Sequence, residues 1–116
     1  MVGSPPSEQV PQVPEPVDSF IRAVNAGDEQ AFLDAFGADG YVDDWGRIFR
    51  GREEIKGWSD NEFLGADGTL TPETVDIADE RVTVVGDWRS THANGRSQFT
   101  FAVAGDRIVS MTIREG

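Results

Sequence analysis

Apolar residues fall at Val17, Phe20, Ile21 and Val24, and again at Phe32, Leu33 and Phe36. Spacing by three and four places each set on one face of a helix. Asn25-Ala26-Gly27 closes the first helix, because glycine readily takes the left-handed conformation that ends one. Asp28 is a natural N-cap for the second, and Gly37 stops it. "GYVDDW" (40–45) then predicts a short strand. "GREEIKGWSDNEF" (51–63) predicts a third helix with Ile55, Trp58 and either Glu62 or Phe63 on one face, and Glu53 and Glu54 favour its N-terminus.

After Gly65 the period changes from 3.6 to 2. "TLTPETVDIAD", "RVTVVGDWRST", "RSQFTFAVA" and "RIVSMTIRE" are strand-like runs rich in Val, Ile, Thr, Phe and Trp. Turn residues at 93–95 and 104–106 join the last three as an antiparallel meander. Parity sets Val82, Val84, Gly86 and Trp88 on one face, with Ser97, Phe99, Phe101 and Val103, and with Val109, Met111 and Ile113. Helices first and strands after predict an α+β domain, its curved sheet covered on the apolar face by the helices.

Residues 1–16, "MVGSPPSEQVPQVPEP", hold five of the six prolines and no aromatic residue. Proline at this density opposes helix and ladder alike, so 1–15 read as a flexible arm and 16–116 as the folded domain. The arm has neither the apolar run of a signal peptide nor the Arg-rich amphipathicity of a transit peptide.

The formal charge is −11, from ten Lys and Arg against 21 Asp and Glu. Such a field repels phosphate, so neither nucleic acid nor an anionic membrane is expected as a partner. No apolar stretch reaches 18 residues. The absence of cysteine excludes disulfides and thiolate chemistry and fits a cytoplasmic setting. One histidine, His92, excludes a His-rich metal centre, and no motif calls for a cofactor.

The order of helix, "NAGD", helix, short acidic strand, F-x-G-x-x-x-I into a third helix, and a meander ending "GDRIVSMTI" resembles the NTF2-like superfamily. It is most similar to small SnoaL-like proteins and ketosteroid isomerases, over residues 16–115. The resemblance implies a cone-shaped α+β barrel with a deep pocket between sheet and helices, often dimeric through the sheet. The outward face (Thr83, Val85, Asp87, Arg89, Gln98, Thr100, Ala102, Ser110 and Thr112) is mixed and small enough to pair with a copy about a two-fold axis, so a homodimer is expected.

The resemblance also assigns candidate site residues. The second acid of a matching acidic pair is the isomerases' general base, which makes Asp44 the candidate catalytic residue, with Val42 two residues earlier on the same face. Phe20, Val42, Trp58, Trp88, Ser97, Phe99 and Met111 are the candidate ligand-binding residues, and Ser97 is the best polar partner for Asp44. Phe20 and Phe99 fall where the isomerases place their oxyanion donors. Neither can donate a hydrogen bond, so steroid isomerisation is not expected.

Asp43 and Asp44 admit a second reading, a solvated strand end or acids fixing Arg47 and Arg50. Desolvation would raise the proton affinity of Asp44 unless Arg47 reaches it. An Asp–Arg pair is similar to that of limonene epoxide hydrolases, but no second acid completing their Asp–Arg–Asp set is identifiable in this sequence. His92, in a hairpin end, reads as exposed. Two functions follow: binding of a small ring-containing molecule in an apolar pocket, or isomerase, cyclase or hydrolase chemistry on a polyketide- or terpenoid-like substrate with Asp44 as base.

Overall fold

The computed structural model of the protein describes residues 11–116. Most of the expected arm, residues 1–10, lies outside the described residues; beyond it, Val13 packs against the core. Helix α1 (Val17–Ala26) ends at Gly27, whose φ of 69° lets its N–H reach the carbonyls of Ala23 and Val24. Helix α2 (Glu29–Asp34) starts where the Asp28 carboxylate accepts the Ala31 N–H at 3.1 Å.

That second helix is shorter than its periodicity predicts. Phe36 opens strand β1 (Phe36–Asp44) instead of closing the helix. Its ring still packs on Phe20 and Phe32, so its apolar spacing was real, but its backbone pairs with Ile108. Strand β2 (Arg47–Arg50) is a further element that the pattern did not indicate, since "RIFR" is too short and too charged to stand out. Helix α3 (Gly51–Glu62) follows, then a 3-10 turn at Leu64–Ala66.

Strands β3 (Thr69–Ala78), β4 (Arg81–Arg89), β5 (Gly95–Ala104) and β6 (Arg107–Glu115) complete one six-stranded sheet in the order β2-β1-β6-β5-β4-β3. Only β1 and β6 run parallel; every other neighbouring pair is antiparallel. The architecture is therefore the expected α+β, with a mixed, mostly antiparallel sheet and three helices.

A bulge changes one assignment of faces. Ala102 pairs with Ser110 but Val103 pairs with Ile108, leaving Val109 as the extra residue. Alternation breaks there, so Val109 is 41% exposed, while Ile108 and Ser110 are buried. Parity had placed Val109 inward and Ser110 outward.

The core has two parts. Phe20, Phe32, Phe36 and Phe101 cluster under α1 and α2 with ring centroids 5.3–5.7 Å apart. Burying each such side chain contributes about 1.5–3 kcal/mol. The second part is a row of rings, Phe49–Trp58–Phe63–Trp88, each stacked on the next at 5.9, 4.7 and 4.5 Å. Gly68 makes room for the end of that row, because a Cβ there would lie 2.2 Å from the Trp88 ring. Asn25 ties α1 to β3 by exchanging two hydrogen bonds with the backbone of Leu70.

Candidate functional site

Strand β1 carries both acids of "VDDW", and alternation sends them apart. Asp43 accepts two hydrogen bonds from Arg114, at 3.0 and 3.1 Å, and a third from the Gly46 N–H at 2.7 Å. These donors, Arg114 foremost, hold its carboxyl below the ordinary aspartate range. Asp43 thus fixes the turn between β1 and β2.

Asp44 turns to the aromatic row. Its side chain is 14% exposed, and Oδ2 accepts both the Trp58 indole N–H at 3.0 Å and the guanidinium of Arg47. Both donors fall on one oxygen; among the described residues Oδ1 has no hydrogen-bond partner. Arg47 also donates to both carboxylate oxygens of Glu62, at 2.6 and 3.0 Å. That contact lowers the proton affinity of Glu62 and raises that of Arg47. His92 Nε2 lies 3.3 Å from Oε1 of Glu62. The β4–β5 loop brings it there, anchored by the Thr91 N–H on the Ala66 carbonyl at 2.8 Å.

The result is a chain of polar groups, Asp44–Arg47–Glu62–His92, along one side of a cavity of about 160 Å³. Trp58, Phe63, Trp88, Phe99 and Ile113 form its apolar walls, and Trp45 and Ser97 complete it. Of the sequence candidates, Asp44, Trp58, Trp88, Ser97 and Phe99 share this cavity. Val42 and Met111 do not line it. They are β-sheet partners one layer deeper than the Asp44–Ile113 pair, and both are fully buried. Phe20 is also elsewhere, at the floor of a separate open groove of about 550 Å³ with Glu15, Ser19, Ala31 and Asp34. That groove is larger, but its polar groups face solvent or bond to their own helical neighbours, as Glu15 does with Ser19. The polar chain and the aromatic walls converge only at the smaller cavity.

Arg47 and Glu62 were not among the site residues expected from the sequence. A signal existed: Glu62 lies four residues after Trp58, on the same helical face. Their contact needs β2 beside the end of α3, which local pattern does not specify. Among the described residues no cluster of His, Cys, Asp or Glu could hold a metal ion, and no helix is long and apolar enough to cross a membrane.

Paired carboxylates make the site sensitive to acid. Glu62 and Asp43 bind protons more weakly in the folded protein than in the unfolded chain. Their contribution is complete above the unfolded values of about 4 and is lost as pH falls through the lower folded values. Thermal midpoints should therefore be flat above about pH 5 and decline below about pH 4, and Glu62→Gln should shallow that decline. An unchanged acid slope in Glu62→Gln would show that the pairing adds no stability.

Three helices packed on a six-stranded, mostly antiparallel sheet define a small α+β domain, and the solved structures say which. The fold is NTF2-like. No protein-family model matches the sequence, and no curated protein matches it either. An NTF2-like protein from Cytophaga hutchinsonii superposes with a TM-score of 0.74 at 12% identity, covering 84% of each chain. The epoxide hydrolase/cyclase-like enzyme SalBIII, described for pyran ring formation in the polyether salinomycin, gives 0.77 at 21% identity over 86% of this chain and 87% of its own. A Mycobacterium tuberculosis protein in complex with estradiol-17β-hemisuccinate gives 0.76 at 19% identity over 86% and 90%. At such identities the likeness establishes the fold alone.

Proposed function

We propose that the protein binds a small molecule built on about one ring, carrying a hydrogen-bond donor, in the cavity beside Asp44. The observation that carries this reading is Oδ1 of Asp44, left without a protein partner among the described residues at a cavity of about 160 Å³ that has aromatic walls facing a polar side. A cavity of about 150 Å³ accepts benzene, whereas drug-sized ligands occupy about 300–1,000 Å³. The steroid-like ligand of the Mycobacterium tuberculosis protein would exceed this space, because Phe63, stacked between Trp58 and Trp88, forms part of the cavity wall.

Titration of the protein with phenol and with estradiol, followed by ¹H–¹⁵N NMR, tests the reading. Phenol should shift the amides of Trp88 and Phe99, and estradiol should not. Steroid binding as tight as that of phenol would refute the size argument.

A second reading is supported by the Asp44–Arg47–Glu62 chain: proton transfer to Asp44 in an isomerase, cyclase or hydrolase acting on a polyketide- or terpenoid-like ring. Arg47 and Trp58 fix one oxygen of the carboxylate, which leaves the other to take a proton from a bound substrate. SalBIII offers a related chemistry on the same fold. The half-buried outer sheet residues Val85, Thr100, Ala102 and Thr112 support a homodimer formed through that face.

A further inference from the structure

We infer that Trp45 is a ligand-contact residue whose indole caps the cavity over a bound ring; this rests on the pocket reading above. The β1–β2 hairpin joins Asp44 to its partner Arg47 through two residues only, Trp45 and Gly46. Both have positive φ, 55° and 93°, as the tight turns that suit twisted strands require. Asn-Gly is the favoured pair for such a turn, and a bulky side chain in the left-handed region is strained. Nor does Trp45 relieve the strain by burial, since it is 60% exposed.

The turn is also stiff. Asp43 holds the Gly46 N–H and Arg114, and the Trp45 N–H reaches the Ile113 carbonyl at 3.3 Å. The backbone of Trp45 is therefore fixed at the rim, and only its side-chain torsions remain to aim the ring.

Inside the cavity, both faces of Trp58 and of Phe63 are already taken. Trp58 is stacked between Phe49 and Phe63, and Phe63 between Trp58 and Trp88. Among the described residues no aromatic ring stacks on Trp45, although it lines the same cavity. Its indole is an unstacked surface at the rim, free to cover a ligand, and a strained, exposed aromatic at a cavity edge is where function accounts for the strain.

The test uses the whole chain with phenol as probe and two substitutions. Trp45→Asn supplies the residue that the turn prefers, and Trp45→Phe keeps a ring in the same strained place. We expect Trp45→Asn to raise the thermal midpoint by about 5 °C and to weaken phenol binding about tenfold. Trp45→Phe should bind phenol within about twofold of the wild type, on the same stacking grounds. In the wild type, phenol should blue-shift the emission of the exposed indole, a change absent from both variants.

If phenol binds both proteins and Trp45→Asn binds it as tightly as the wild type, the cap is wrong and the pocket stands. If phenol does not bind the wild type, the pocket reading fails and the cap falls with it. A blue shift that follows protein concentration without phenol would instead make Trp45 a contact between copies of this chain, and overturn the proposal.

Discussion

Replacing Phe63 with alanine is expected to destabilise the protein by about 3–5 kcal/mol and to change which ligands it accepts. Phe63 is the third of the four rings in the aromatic row, held between the two tryptophans. It lies 4.7 Å from Trp58 and 4.5 Å from Trp88, inclined by 27° and 12°, and also touches Phe32 and Phe99. Its backbone ends α3 and shapes the following turn, donating to the Ser59 carbonyl and accepting from the Ala66 and Gly68 N–H groups. Those backbone bonds survive truncation, so the loss is one of apolar burial and stacking together with the void left behind.

That void opens onto the cavity beside Asp44. The variant should therefore gain affinity for two-ring ligands such as naphthol while the wild type keeps its preference for one ring. Urea unfolding and a paired phenol and 1-naphthol titration measure both effects. A variant that stays selective for phenol would show that Phe63 does not set the size limit.

Asp44→Asn has the second large expected effect, and it separates the two functional readings. The amide keeps the shape and can still accept from the Trp58 indole, but it loses the charge. A hydrogen bond to a charged acceptor contributes about 1.5–3 kcal/mol against about 1 for a neutral one. Phenol affinity should fall about tenfold, and that of toluene, which has no donor, should not move. For an enzyme the same substitution removes the proton acceptor, and turnover should drop by about 10²–10⁴ with substrate affinity changed far less. Equal losses for phenol and toluene would mean that the variant disturbs the aromatic walls and that Asp44 contributes no hydrogen bond to the ligand.

Removing Arg47 leaves a different signature. Asp44 and Glu62 would then share one side of the cavity without their common cation. Since Arg47 is half exposed, the change should be felt more in the site than in global stability.

The sequence by itself determined the types of most elements and the faces of most strands. Helical spacing at Val17–Val24, alternation at Val82–Trp88 and Ser97–Phe101, and the turn residues between strands are local, and local signals survive in a linear reading. Alternation along β1 likewise separates Asp43 from Asp44 before any fold is known. Tertiary structure decided what depends on residues distant in the chain. Phe36 became a strand residue because Ile108 pairs with it, and Val109 turned outward because β5 and β6 differ by one residue in register. Val42 and Met111 have the right parity for a pocket but lie a layer below it, since parity fixes a face and says nothing of depth. Glu62 met Arg47, 15 residues away, only because α3 folds back over β2. Packing also set the size of the cavity, where Phe63 enters the row between two tryptophans 30 residues apart and leaves room for about one ring.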